Sequence, residues 1–218
     1  MSEQHDHGAG EESQAHPGGT PDITLSYRAK RSVAMQELLV EKGIIASDEI
    51  QRSVESALAR SPTDGARVVA RAWVDPAFKQ RLLENALAAV AELGYDFRAD
   101  TGLVAIENTD ELHHVVVCTL CSCYPGALLG PPPDWYKSLA YRSRVVIEPR
   151  AVLREFGLEL ESDVGVRVID STAEIRYLVL PRRPAGTEGM TEEQLAELVT
   201  RNSMIGVGLP LSPELVTT

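Results

Sequence analysis

Apolar side chains recur at helical spacing from about Ile23 to Lys42, Val33, Leu38 and Leu39 among them, and Gly43 stands where such a helix would stop. A second helical stretch opens at Ser47, a predicted N-cap, with Asp48 and Glu49 placed where carboxylates favour the positive end of a helix; it runs to Arg60-Ser61-Pro62. Thr63 to Val74 and Asp75 to Leu93 predict two more helices, the second ended by Gly94. Beyond Gly94 the apolar runs shorten to strand length. Leu103 to Glu107 and His113 to Thr119 read as neighbouring strands joined by the turn Asn108-Thr109-Asp110. Val164 to Ile169 and Ala173 to Leu180 predict a second β pair about Asp170-Ser171-Thr172. Between the pairs, Pro131-Pro132-Pro133 imposes extended backbone, and Pro133 suits the opening of a helix through Trp135 and Tyr136. Glu148 to Phe156 predicts a helix with Gly157 behind it, and Thr191-Glu192-Glu193-Gln194 is a capping box that opens a last one. No internal repeat is evident in the sequence.

These elements predict an α+β fold: a helical N-terminal arm over residues 21–94, then an α-β-β-α layered domain over residues 95–218. The first two helices are amphipathic with little sequence of their own to pack on, which suits an arm laid over another subunit. Residues 1–20 are Ser, Glu, Gly, Gln and His with almost no large apolar side chain, a composition that does not fold. His5, His7 and His16 in that tail read as solvated.

Composition narrows the partners. The chain has 218 residues and a net charge of −11, enough length for one sizeable core and the wrong sign for nucleic acid or an anionic membrane surface. No apolar run reaches the ~18 residues of a membrane span, and the N-terminus has no export pattern. Unpaired thiols fit a reducing compartment, so the expected location is cytoplasmic.

The chemistry is concentrated in one place. All three cysteines lie in Cys118-Thr119-Leu120-Cys121-Ser122-Cys123, delivered by the valine run 115–117. No other Cys exists to pair with them, so a long-range disulfide framework is excluded. The spacing suits a metal site. Structural zinc usually takes four ligands from two separated knuckles, and here one cluster stands alone. If the Ser122 and Cys123 amides lose their protons, their nitrogens lie in a plane between the Cys121 and Cys123 thiolates. Two five-membered chelate rings and one six-membered ring then close, and Cys118 caps one axial side. The opposite side is open to water or substrate. Such a donor set calls for a strongly Lewis-acidic ion that accepts thiolate, and trivalent cobalt or iron fits better than zinc. On spacing alone the alternatives are zinc with His113 or His114 as fourth ligand, a fragment of an iron–sulfur site, or a redox-active thiol pair. Adjacent strand side chains point to opposite faces, so at most one of the two histidines faces the cluster, and structural roles suit both.

The cysteine run resembles the metal claw of nitrile hydratase alpha subunits. Glu107-Asn108-Thr109, His113 to Val117, Trp135-Tyr136-Lys137-Ser138, Tyr141 to Val146, Asp170-Ser171, Glu174 to Tyr177, Pro184 to Gly189, Leu198 to Arg201 and Met204 to Val207 are similar to that family too. The likeness covers approximately Leu25 to Gly208. It implies a low-spin trivalent ion held by Cys118, Cys121 and Cys123 and by the backbone amides of Ser122 and Cys123. It also implies Cys121 as a sulfinate and Cys123 as a sulfenate, successive rungs of thiol oxidation. Thr119 resembles the cobalt branch, so Co(III) is expected ahead of Fe(III).

The resemblance implies a hydro-lyase that adds water across a nitrile to give an amide. The ion polarises the nitrile or acidifies bound water, or the Cys123 sulfenate attacks the nitrile carbon. Cys123, Ser122 and Arg176 are the expected catalytic residues, with Arg176 hydrogen-bonding near the oxidised claw. It further implies a beta subunit that completes the site in an αβ or (αβ)₂ assembly, and an activator protein for cobalt loading. Two departures bear on the substrate. Cys123-Tyr124-Pro125 is followed by Gly126-Ala127, where many family members have Trp-Pro, and Arg98-Ala99-Asp100 stands where many carry a Gln nearby. The first suggests a roomier or more flexible pocket, and together they suggest a bulky or specialised nitrile. The related alternative is the gamma subunit of thiocyanate hydrolase, and a metal-storage or redox-sensing thiol module is a non-enzymatic reading.

Overall fold

The computed structural model describes residues 26–97 and 101–215. The predicted disordered tail, with its three histidines, and Arg98-Ala99-Asp100 lie outside the described residues. The chain divides into two compact units, residues 1–50 and 51–218.

In the first unit, α1 (Tyr27–Glu41) is capped by the Ser26 hydroxyl, which accepts from the Ala29 amide, and it has no buried residue. Val33, Met35 and Leu38 are all exposed, as is Ile44 beyond the helix. Helix α2 (Ser47–Ala59) carries the boundary between the units. Its cap lies one residue ahead of the expected Ser47: the Ala46 carbonyl accepts from the Glu49 amide and the Glu49 carboxylate accepts from the Ala46 amide.

The second unit holds the core. Ser61 and Asp64 form a capping box at the start of α3 (Pro62–Val74). The single helix expected over Asp75 to Leu93 is two, α4 (Pro76–Glu84) and α5 (Ala86–Glu92), because Asn85 leaves the helical region and caps the second by accepting from the Ala88 amide. These helices contribute Val68, Val69, Phe78, Leu82 and Val90 to the core, so the core begins ahead of the expected domain start at 95. After β1 (Gly102–Glu107) and β2 (Leu112–Val117) come four helices, α6 (Gly126–Leu129), α7 (Asp134–Lys137), α8 (Leu139–Ile147) and α9 (Pro149–Glu155). Then follow β3 (Gly165–Asp170), β4 (Ile175–Leu180), α10 (Glu192–Leu198) and α11 (Arg201–Ile205). The expected capping box of α10 forms between Thr191 and Gln194. The fold is α+β.

Strand pairing departs from expectation. Neither local β pair forms; β1 pairs with β4 and β2 with β3, both parallel. The turns steer each chain away from its neighbour: Thr109 Oγ1 accepts from the amides of Glu111 and Leu112, and Thr172 Oγ1 from those of Glu174 and Ile175. The same pattern extends further. Gly102 donates to the Glu174 carbonyl and Gly165 to that of Glu111; Asn108 donates to Leu180 and Ser171 to Val117. The two β–turn–β segments are therefore a repeat related by an internal two-fold, with Gly102, Thr109 and Glu111 corresponding to Gly165, Thr172 and Glu174. At the same offset Ile106 and Val116 also match Ile169 and Val179, while the remaining positions differ. Residues 115–117 are fully buried at the centre, where each valine contributes roughly 1.5–3 kcal/mol. The claw leaves the end of β2 from this rigid base.

Candidate metal centre

The three sulfur atoms converge, all within 4.8 Å of one another. Cys121 Sγ lies 3.4 Å from Cys118 Sγ and 3.1 Å from Cys123 Sγ. Cys118 and Cys123 are buried, whereas Cys121 is exposed at the apex. The Cys121 amide donates to Cys118 Sγ at 3.3 Å, and the neighbouring amides of Ser122 and Cys123 also favour the Cys121 thiolate. Hydrogen bonds from Cys123 and then Cys118 pull the Cys121 thiol down to about 7. Burial pushes Cys123 up to about 12, the neighbouring thiols add to this, and the Arg176 charge opposes it. The loop thus brings three sulfurs together, with the Ser122 and Cys123 amides in the chain between two of them. Soft sulfur donors with backbone nitrogens fit a transition ion, so the residues present suit the implied group.

The claw backbone is held by residues far away in sequence. Asp170, the last residue of β3, accepts from the Thr119 amide at 2.9 Å and from its hydroxyl at 2.5 Å. Arg142 on α8 donates from Nε to the Cys118 carbonyl at 3.0 Å and from Nη2 to the Thr119 carbonyl at 2.6 Å. Tyr136 on α7 donates its hydroxyl to the Cys123 carbonyl at 2.8 Å, and Tyr141 donates to Val116 at 2.7 Å. No local pattern marks Arg142, Asp170 or Tyr136 as claw supports: Arg142 and Tyr136 hold backbone carbonyls, and Asp170 holds an amide and a hydroxyl fifty-one positions away in sequence.

His113 and His114 do not join the thiols. His113 Nε2 lies 2.8 Å from the Gly206 carbonyl and its Nδ1 3.1 Å from Asn108 Nδ2; His114 Nδ1 lies 3.2 Å from Asn108 Oδ1. Burial lowers both imidazole pKa values. Among the described residues the group able to hold an ion is Cys118, Cys121 and Cys123, so zinc with an added histidine finds no fourth ligand here. Ser122 is exposed beside Cys121. The Arg176 guanidinium donates to the carbonyls of Thr172, Ala173 and Ile175, and its charge reaches Cys123.

Next to the claw, a cleft of about 310 Å³ is lined by Tyr124, Gly126, Ala127, Pro131, Pro132 and Phe97, with Arg60 and Arg176 at its margin. Nothing lies within 4 Å of where a Gly126 side chain would begin. The space left by the small residues at 126 and 127 is part of this cleft.

Known proteins are similar to this chain in sequence and in fold. The family described as nitrile hydratase, alpha chain, matches residues 26–208. The chain is 54% identical over 187 residues to the low-molecular weight cobalt-containing nitrile hydratase subunit alpha of Rhodococcus rhodochrous, covering 85% of this chain and 90% of that one. Among solved structures it resembles a recombinant thiocyanate hydrolase comprising partially modified cobalt centres, with a TM-score of 0.80 and 41% identity over 85% of this chain and 91% of the other. It also resembles a double mutant of the iron-type nitrile hydratase of Comamonas testosteroni Ni1, with a TM-score of 0.77 and 42% identity over 84% and 90%.

Proposed function

The chain belongs to the nitrile hydratase alpha-chain family, and on that premise we propose that it is the metal-bearing alpha subunit of a cobalt nitrile hydratase, a hydro-lyase that hydrates nitriles to amides. The convergence of the Cys118, Cys121 and Cys123 sulfurs within 4.8 Å carries this reading. Cobalt is favoured over iron by the cobalt-containing relative at 54% identity, against 42% for the iron-type structure. The higher identity to a nitrile hydratase likewise favours nitriles over thiocyanate, the 41% identical alternative.

The residues divide the work. The three sulfurs and two amides hold the ion, which when bound supplies Lewis acidity toward a nitrile or water. Oxygenated by dioxygen to a sulfinate and a sulfenate, Cys121 and Cys123 would carry oxygen atoms beside the ion, and the Cys123 sulfenate would be the candidate nucleophile toward the nitrile carbon. Arg176, which donates to the Thr172, Ala173 and Ile175 carbonyls and whose charge reaches Cys123, would pair with those oxygens. The 310 Å³ cleft receives the organic part of the nitrile, and the absence of a side chain at Gly126 makes room for a bulky one. A beta subunit covers the claw and supplies further donors in an αβ or (αβ)₂ assembly, an activator loads the cobalt, and the complex works in the cytoplasm. The exposed apolar side chains of α1 suit an arm that lies on that partner.

The test is co-expression with the beta subunit of the same genome in cobalt medium, followed by elemental analysis, intact mass and a nitrile panel with thiocyanate beside it. About one cobalt per chain, a mass gain near three oxygens and amide release support the reading. One zinc with unmodified thiols, or thiocyanate consumed while every nitrile is left intact, overturns it.

A further inference from the structure

The two ends of the claw are gripped by one short segment of chain. Cys118 and Cys123 are its first and last residues, and the carbonyl of each accepts from a side chain of the α7–α8 pair. Arg142 takes the Cys118 and Thr119 carbonyls with two nitrogens of one guanidinium, and Tyr136 takes the Cys123 carbonyl. The segment itself is stiff. Ser138 joins its two helices, donating to the Trp135 carbonyl at 2.8 Å and accepting from the Tyr141 amide at 3.1 Å. Tyr136 is fully buried, with its ring edge-on to Tyr124 at 5.0 Å. Tyr141, between the two grips, is tied to the carbonyl of Val116 in β2. Leu120, Cys121 and Ser122, between the held ends, are exposed.

We propose that Arg142 and Tyr136 are positioning residues that clasp the claw from both ends and fix the separation of Cys118 and Cys123 before any ion enters. The proposal rests on the metal-centre reading for its consequence, faster and tighter loading, but not for the clasp itself. Sulfurs that are brought together without a metal must be ordered against the conformational entropy of the loop that carries them. A rigid support that bears this cost in the fold leaves less to be lost on binding. The guanidinium is suited to the task because its planar fork reaches two carbonyls at once, which a lysine ammonium on a flexible stem does not reproduce. Tyr136 acts through one hydroxyl, so removing that oxygen alone releases the exit end.

The experiment uses the full chain with Arg142→Ala, Arg142→Lys and Tyr136→Phe, and Arg154→Ala as an exposed control on α9. Two quantities are read: amide hydrogen exchange of residues 118–123 in the metal-free chain, and the rate at which a chelator strips cobalt, followed by its sulfur-to-metal absorption. Circular dichroism reports whether each variant folds. The clasp predicts exchange and cobalt loss faster by about tenfold to a hundredfold in Arg142→Ala and Tyr136→Phe. Arg142→Lys behaves closer to the alanine variant than to the parent, and the control is unchanged. Folded variants with parental exchange and parental cobalt loss overturn the proposal. If the parent chain binds no cobalt, the metal-centre reading fails, and the exchange measurement alone still decides whether the clasp exists. Should Arg142→Ala not fold, Arg142→Lys and Tyr136→Phe carry the decision.

Discussion

Asp170 holds Thr119 by both of that residue's donors, the amide at 2.9 Å and the hydroxyl at 2.5 Å. The last residue of β3 thereby fixes the second residue of the claw, and the parallel pairing of β2 with β3 is what brings them together, Asp170 standing opposite Val117. Replacing Asp170 by Ala leaves the Thr119 amide without its acceptor, a loss of about 1 kcal/mol in stability. The larger effect is on metal retention, with cobalt lost about tenfold faster or more. Asn keeps one carbonyl acceptor for the amide and offers its NH₂ to the hydroxyl oxygen, so Asp170→Asn falls between Ala and the parent. Chelator-driven cobalt loss, measured beside thermal unfolding, separates the two contributions; equal retention in Ala and parent contradicts the role.

The thiols of the metal-free chain differ in ionisation, and that difference is measurable. Cys121 is exposed and pulled down to about 7 by hydrogen bonds from Cys123 and Cys118, whereas burial sends Cys123 up to about 12. Thiolate is the reactive form, so alkylation of Cys121 rises with pH through about 7 and then levels. Cys123 stays protonated and slow across that range. Mass spectrometry after brief iodoacetamide treatment between pH 6 and about 9 is expected to find label at Cys121 ahead of Cys123 at every pH. Label at Cys123 ahead of Cys121 counts against this order.

The claw was legible because its chemistry is local. Chelate rings are counted along the chain, and Cys118 to Cys123 supply every donor within six positions of sequence. Helix starts were legible where the capping side chain is also local, as at Thr191, and misplaced where two candidates adjoin, as at Ala46 and Ser47. Strand pairing was not. The turns at Thr109 and Thr172 look like hairpin turns, but a parallel partner sits far along the chain, and nothing in the apolar alternation of β1 says that β4 will cover it. Arg142 was invisible for a related reason: an arginine that grips two carbonyls looks the same in sequence as one on a solvated helix face. The family likeness includes Arg142 and Asp170 among its matching stretches but implied a role only for Arg176.

Gly206 ends α11 at φ 85°, and its carbonyl accepts from buried His113. A Cβ there would lie 1.9 Å from the His114 carbonyl oxygen. Gly206→Ala meets both the left-handed backbone penalty and a backbone clash, for an expected cost of about 3 kcal/mol or more. At this chain length that is a fall of about 10 °C in the unfolding midpoint. A midpoint within about 2 °C of the parent is incompatible with this packing.

Burial also lowers the pKa of His113 and of His114, where the Arg167 charge acts in the same direction. With a folded value below the unfolded one of about 6.5, the unfolded chain binds protons first as pH falls. The stability carried by the neutral imidazoles is thus complete above about pH 6.5, declines below it, and is gone once the folded value is passed. Denaturant midpoints measured from pH 7.5 down to about 5 are expected to fall, and His113→Gln to flatten part of that fall. A midpoint that rises toward pH 5 has the wrong sign for buried neutral histidines.

The cleft beside the claw makes substrate size the most direct test of the catalytic reading. Its floor and walls are Phe97, Tyr124, Pro131, Pro132 and Ala127, and the position that would narrow it is Gly126, whose missing side chain has open space in front of it. Gly126 has an ordinary negative φ, so a larger residue meets no backbone strain, and its amide keeps its bond to the Tyr124 carbonyl at 2.7 Å. An indole at this position occupies much of the 310 Å³. Gly126→Trp is therefore expected to leave cobalt content and turnover of short aliphatic nitriles near the parent. For aromatic nitriles it raises KM or lowers kcat/KM by about tenfold to a hundredfold, the range in which lost apolar fit is felt. Steady-state kinetics on a graded series of nitriles, with metal content measured on the same preparations, reads both. A uniform loss across all sizes places the defect in the claw rather than in the cleft; unchanged kinetics on every nitrile places the organic group somewhere else.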